Sequence, residues 1–159
     1  MKLLDTLARV CAVLAGLLLT AITLMTCASL IGRNTTGWTI SGDFEISGFA
    51  AGAAIALFLP LCQARRGNII VDFFTTRARA ATQARLDRFG AALLALTMAL
   101  MTWRTAVGGI SAFKSQAGSM MLGVPEWWVY AVMVPALGLT ALIAAVQATI
   151  GFERARATA

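Results

Sequence analysis

Side chains that could carry chemistry are sparse in this sequence. It contains no histidine, which removes the usual axial ligand of membrane haems and a common proton carrier. Its cysteines, Cys11, Cys27 and Cys62, form no CxxC pair and lie in or at the end of apolar runs, where cysteine behaves as a small hydrophobic residue. No serine, aspartate or cysteine has neighbours at the spacing of a catalytic site. The sequence therefore predicts no enzyme activity, no cofactor and no bound metal.

Long uncharged runs predict that the chain crosses a membrane four times. They cover residues 10–31, 46–64, 89–103 and 127–152. A hydrocarbon core about 30 Å thick needs roughly 20 mainly apolar residues. The third run is short, and we expect it to continue to residue 110 with the Arg104 side chain snorkelling toward the membrane surface. A secretion signal is the alternative for the first run, but that run exceeds the roughly 7–15 apolar residues of such signals.

The fold class predicted from these runs is an all-α integral membrane protein with one transmembrane domain. With 159 residues, of which 59% are hydrophobic, no room remains for a soluble domain. We expect the membrane helices at about 7–31, 43–64, 87–110 and 126–152. A basic connection covers residues 65–86, and its composition also allows an interfacial helix between helices two and three.

Basic residues are distributed unevenly among the connections, which predicts the orientation of the chain. Ten of the 13 lie before the first run, between the second and third runs, or after the fourth, and only Arg33, Arg104 and Lys114 lie on the opposite side. Because cytoplasmic loops are enriched in lysine and arginine, we expect both termini and the middle connection to be cytoplasmic. The net charge of +6 then reflects topology. Nucleic-acid binding is excluded, because no soluble basic face exists.

The start of the second helix combines carboxylates with small residues. Asp43 and Glu45 suit the positive end of a helix dipole. A face with residues at near-helical spacing follows, consisting of Glu45, Gly48, Gly52 and Ala56. Small residues at this spacing let membrane helices approach closely, so we expect this face, together with Asp43, to form a partner interface. Simple capping is the alternative for the carboxylates, and the sequence leaves open whether the neighbouring helix belongs to this chain.

Polar and aromatic residues near the helix ends predict contacts at the membrane surfaces. After the second run these are Arg65, Arg66, Asn68 and Asp72. The paired arginines suit an anionic lipid headgroup or a carboxylate of another subunit, with a purely topological role as the alternative. The tryptophans expected to anchor the helices in the headgroup layers are Trp38, Trp103, Trp127 and Trp128.

Three motifs, in this order, resemble the small membrane subunit of tripartite ATP-independent periplasmic (TRAP) transporters, the DctQ-like family, over nearly the whole chain. They are the acidic start of helix two at residues 42–45, the stretch 66–72, and residues 122–127 leading to Pro135 and Gly138. The family often has histidine where this chain has Asn68.

The resemblance implies a supporting role in a transporter of the bacterial inner membrane. In this family a periplasmic substrate-binding protein captures an organic acid, and a large membrane subunit moves it by using a sodium gradient. The small subunit is expected to brace the large subunit among the membrane lipids and to help dock the binding protein. Residues 10–31, 46–64 and 89–103 agree with this role, because they contain no ionisable group that could carry an ion.

Two other functions suit a small protein with four membrane helices. A small multidrug-type exporter resembles its relatives in a membrane-embedded glutamate in helix one, and residues 10–31 contain none. A holin-like pore former would line water with polar residues, whereas these helices carry little beyond threonine and serine. Both functions remain alternatives at this stage.

Overall fold

The chain folds into four helices. The computed structural model describes residues 2–35, 37–38, 40–65 and 80–150. The helices are α1 Lys2–Thr35, α2 Asp43–Ala64, α3 Ala80–Ser115 and α4 Trp127–Ile150. All four are long and apolar enough to cross a membrane, and the described residues contain no β-strand. The predicted all-α membrane fold is therefore confirmed.

Two of the helices are much longer than a bilayer requires. α1 has 34 residues and α3 has 36, or roughly 51 and 54 Å at 1.5 Å per residue. Both extend beyond the predicted ranges 7–31 and 87–110, because hydropathy marks only the part that crosses hydrocarbon. Near the start of α1, Arg9 forms an ion pair with Asp5 one turn earlier, at 2.6 Å. This pair stabilises the part of the helix that precedes the apolar run.

The connection between α2 and α3 differs in extent from the sequence prediction. Residues 80–86, assigned there to the connection, form the first turns of α3. Alanine is the best helix former, and three of these seven residues are alanine. The remainder, 66–79, where an interfacial helix is expected, lies outside the described residues.

The helices pack in the order α1, α2, α4, α3, so that α2 and α4 are central. Alanines make much of the contact: Ala15, Ala54, Ala56, Ala136 and Ala144 are at most 3% exposed. The largest fully buried side chains are only those of Thr140 and Pro60. Small residues let helix backbones approach closely, and in a membrane such packing rather than hydrophobic burial holds helices together.

Glycines fix the register between α3 and α4. A Cβ atom on Gly109 would lie 2.8 Å from Cβ of Tyr130, so only glycine permits this approach. Further along, Gly138 of α4 lies beside Thr102 of α3, where an added Cβ would be 3.6 Å from the threonine methyl group. The level of each α3 residue relative to α4 is thereby defined.

Candidate functional site

The connection between α3 and α4, residues 116–126, is a compact structure that we call the α3–α4 turn. The N–H of Ser119 donates to the carbonyl of Val124 at 3.0 Å, and Gly123 supplies the left-handed backbone (φ 64°) that the reversal needs. At its tip, Met120 is fully exposed and Met121 is 71% exposed. The turn therefore presents apolar side chains at one end of the bundle.

Glu45, in the first turn of α2, holds the α3–α4 turn in place. The N–H of Met121 donates to both carboxylate oxygens, at 3.0 and 3.3 Å. The Ser119 side chain and the backbone of Met120 and Leu122 lie beside the same carboxylate and lower the pKa of Glu45. One side chain of α2 thus contacts a segment 76 residues away in sequence.

Contacts beside Glu45 join the same end of α2 to the α3–α4 turn and to α1. Leu122 packs so closely on Gly42 that a Cβ there would lie 2.5 Å from the leucine side chain, and Gly42 has a positive φ of 77°. On the other side, the buried hydroxyl of Ser29 in α1 donates to Asp43 at 2.6 Å. We call Asp43 and Glu45 the acidic clip, because they join α1 and the α3–α4 turn to α2.

A pair of glutamines joins α2 and α4 at the opposite end of the bundle. Nε2 of Gln63 donates to Oε1 of Gln147 at 2.7 Å, and Nε2 of Gln147 donates to the backbone carbonyl of Gln63 at 3.0 Å. Both residues are 4% exposed. The second bond also satisfies a carbonyl in the last turn of α2, where backbone acceptors lose their partners within the helix. Polar contacts therefore hold α2 at both of its ends, through the acidic clip at one end and through α4 at the other.

The small residues predicted to form a partner interface divide into two groups. Ala56 is buried within the chain. A Cβ on Gly48 or Gly52 would meet no atom within 4 Å, so no helix of the described chain packs closely against either glycine. Asp43 and Glu45 bond within the chain through the acidic clip. A partner contact at this face stays a prediction, and it would have to involve another molecule at the two glycines.

An apolar groove of about 280 Å³ lies beside the acidic clip, between α1, α2 and α4. Its walls include Leu18 of α1, Phe49 of α2, and Trp128 and Val132 of α4. The lining suits a lipid chain or apolar side chains of a neighbouring protein.

The residues predicted to contact lipid occupy different places. Trp38, Trp127 and Trp128 lie at the end of the bundle that carries the acidic clip, whereas Trp103 lies on the outer side of α3, well before its end. Arg65 directly follows α2 and is exposed, and its N–H donates to the carbonyl of Leu61 at 3.0 Å. The other predicted contact residues, Arg66, Asn68 and Asp72, lie outside the described residues. All these membrane contacts stay predictions.

Metal binding finds no support in the part of the chain that the structure describes. No group of three or more histidine, cysteine, aspartate or glutamate side chains there could hold an ion. Among the described residues, Cys11, Cys27 and Cys62 form no disulfide bond.

Comparison with protein families decides the assignment. Residues 22–154 match the family described as tripartite ATP-independent periplasmic transporters, DctQ component. The chain belongs to the DctQ family. No curated protein and no solved structure matches it significantly.

Membership in the DctQ family makes this chain the small membrane component of a TRAP transporter complex. It is therefore a transport component rather than an enzyme, and the exporter and holin alternatives are set aside. Four apolar helices and the family together indicate a multi-pass protein of the bacterial inner membrane.

Two features of this DctQ component were not expected from its sequence. One is the contact between Glu45 and the α3–α4 turn, and the other is the glutamine pair. The sequence does contain a pattern that could have predicted the glutamine pair, because Gln63 and Gln147 each lie near the C-terminal end of a mainly apolar helix. Burying a primary amide in a membrane is costly unless it has a partner, so two such residues on neighbouring helices point to each other.

Proposed function

We propose that this DctQ component is a rigid brace for the large membrane subunit and helps dock the periplasmic substrate-binding protein during sodium-driven uptake of an organic acid. The observation that carries the proposal is the fixation of α2 to its neighbours at both ends, by the acidic clip and by Gln63 with Gln147. A brace must keep its own shape while a mobile partner moves against it. Polar contacts at both ends of tightly packed central helices provide that stiffness.

The distribution of exposed surface supports a brace that works in contact with another membrane protein. The outer helices α1 and α3 bury very little within the chain, whereas α2 and α4 are the buried centre. α2 also leaves Gly48 and Gly52 open. A helix of the large subunit could approach these glycines closely, as small residues allow in membranes.

The docking part of the proposal rests on the apolar surface around the acidic clip. Phe44 is 84% exposed beside the clip, and Met120 and Met121 project from the α3–α4 turn that Glu45 holds. Exposed apolar side chains outside the hydrocarbon mark protein contact sites. We therefore expect the binding protein to dock at this end of the bundle, and the basic-residue distribution predicts that this end faces the periplasm.

The complex and its function can be tested with the purified subunits. The DctQ component co-expressed with its large subunit should purify as a one-to-one complex, and uptake into proteoliposomes should need both subunits and the binding protein. Proteoliposomes that contain the DctQ component alone should show no uptake above empty vesicles. Uptake by this chain alone would contradict the proposal.

The open glycines provide a variant of the same experiment. Gly52→Leu should leave the isolated chain folded, because a Cβ added at this position meets no atom within 4 Å, but it should lower recovery of the complex. Overpacking a close helix contact costs about 1–3 kcal/mol, or roughly 5- to 150-fold in affinity. Gly16→Leu is the matched control, since Gly16 is equally open but lies on α1. Equal recovery of the two variants would remove this face from the interface.

The proposed orientation has both termini in the cytoplasm. Single cysteines at Asn34 and Ser119, in a chain without its native cysteines, should react with an impermeant maleimide in intact cells. Both positions lie on the side of the membrane that is predicted to carry three of the basic residues, whereas the other side is predicted to carry ten. Cysteines near the termini should stay unlabelled until the membrane is opened, and labelling in the reverse pattern would invert the topology.

A further inference from the structure

Arg104 is an isolated charge on the outer side of α3. Between Phe89 and Phe113, it is the only charged residue of this helix. It is exposed, and so are its helical neighbours Leu100 and Val107, one turn before and after it. α3 packs mainly on α4, so this outer side has no covering helix within the described chain.

Three observations place Arg104 below the membrane surface. The apolar part of α2, residues 46–64, has 19 residues, roughly 28 Å at 1.5 Å per residue. It must therefore cross the hydrocarbon almost from end to end. Glu45, just outside it, contacts the α3–α4 turn, which puts that turn at the membrane surface. Arg104 lies 11 residues before Ser115, the end of α3 at the turn, or roughly 16 Å along the axis.

The register of α3 against α4 leads to the same depth. Gly109 touches Tyr130 and Thr102 touches Gly138, so Arg104 is level with the α4 residues between these two. Those residues follow Trp127, the first residue of α4, by 4–10 positions, roughly 6–15 Å deeper in the bilayer.

A guanidinium at this depth needs a counter-charge. In the described part of the chain, no carboxylate pairs with Arg104. Asp43 and Glu45 are engaged in the acidic clip, and Asp87 lies 17 residues away on the same helix, roughly 25 Å along its axis. Charged side chains inside a membrane are costly, and they pair with one another or face a water-filled cavity.

Lipid phosphate is a poor counter-charge for Arg104. The Cα–Cβ bonds of a helix point toward its N-terminus. In α3 this direction leads away from the α3–α4 turn and therefore away from the nearer membrane surface. Snorkelling to that surface would oppose the natural direction of the side chain, whereas a carboxylate on a neighbouring membrane helix can meet the guanidinium at its own level.

We propose that Arg104 forms an ion pair inside the bilayer with a carboxylate on a transmembrane helix of the large membrane subunit, so that the outer side of α3 is a second contact face of the brace. This inference rests on the proposed complex with that subunit. The surrounding apolar side chains of α3 exclude water from the pair. A planar guanidinium matches a carboxylate through two parallel hydrogen bonds.

The test compares arginine variants in the co-expressed complex. Arg104→Leu should keep or raise the thermal stability of the isolated DctQ component, because it removes a charge from an apolar surface. The same change should lower recovery of the complex by at least tenfold, because it leaves the partner carboxylate buried without a counter-charge. Arg104→Lys should recover only part of the binding, since lysine keeps the charge but lacks the planar fork. Arg33→Leu, at the exposed end of α1, is the control and should change neither value.

Photo-crosslinking distinguishes the two sources of negative charge. A benzophenone amino acid at Val107, one turn from Arg104 on the same side of α3, keeps the arginine and in the membrane-embedded complex should attach to a peptide of the large subunit that contains aspartate or glutamate. Attachment to phospholipid alone would overturn the inference. Normal recovery of the Arg104→Leu complex would overturn it too, while leaving the brace function intact. Failure of the wild-type subunits to associate would overturn both proposals.

Discussion

Replacing Gln147 with leucine should lower the free energy of unfolding of the isolated subunit by about 1–2 kcal/mol. The variant loses both bonds between the glutamines and leaves the Gln63 amide buried at the end of α2. Intramembrane hydrogen bonds contribute about 0.6 kcal/mol on average. We expect more here because two bonds are lost together. Unfolding in mixed micelles with increasing denaturing detergent provides the measurement.

A double-mutant cycle isolates the pair. Gln63→Leu combined with Gln147→Leu should be less destabilising than the sum of the single changes, because each single change already breaks the bond between the two side chains and that bond can be lost only once. Thr149→Val is the control in the same part of α4, where the hydroxyl is exposed and bonds only to carbonyls of its own helix. If the effects of the single changes on the free energy of unfolding were additive, the two glutamines would not be coupled. The pair would then not hold α2 to α4 at this end of the bundle.

The membrane helices were predictable because a bilayer requires a local property. Any helix that crosses it must be apolar for about 20 residues, and such runs are visible in one stretch of sequence. The ends of α1 and α3 were not predictable in this way. Residues outside the hydrocarbon can be polar whether or not they are helical, so hydropathy does not mark where a helix ends. Here α1 begins at Lys2 and α3 ends at Ser115.

Packing between the helices was harder to predict because the apolar residues of a membrane helix face lipid and protein alike. The small residues of α2 suggested one face, Glu45 to Ala56, as a close helix contact. The structure packs this helix through Ala53, Ala54 and Leu57 as well as Ala56, and leaves Gly48 and Gly52 open. Spacing alone cannot rank neighbouring small-residue faces, because all of them allow close approach.

The role of Glu45 shows the same limit for polar residues. Its position after Gly42 suits a helix start, and the sequence predicted a partner interface there, with capping as the alternative. Its partners lie in the α3–α4 turn, 76 residues further along the chain. No local pattern specifies such a contact, which depends on the packing of α4 against α2.

Glu45→Ala should free the α3–α4 turn and strongly reduce substrate uptake by the reconstituted transporter, while the two membrane subunits still purify together. Both carboxylate oxygens accept from the N–H of Met121, and the Ser119 side chain and the backbone of Met120 and Leu122 lie beside the carboxylate. Alanine leaves these groups to water, so the turn no longer presents its methionines in one arrangement to the binding protein. Hydrogen exchange of the complex in nanodiscs should rise across residues 119–122 to the rate of unstructured amides.

Two further variants separate the carboxylate geometry from its charge. Glu45→Gln keeps one acceptor oxygen but turns an amide NH₂ toward the remaining donors, so it should protect the turn only in part. Glu126→Ala removes the same charge from the turn itself, where among the described residues its side chain makes no hydrogen bond or ion pair with residues 119–122, and it should leave exchange there unchanged. If Glu45→Ala exchanged like wild type, the acidic clip would not order the turn. If it exchanged faster but transported normally, the ordered turn would have no part in docking the binding protein.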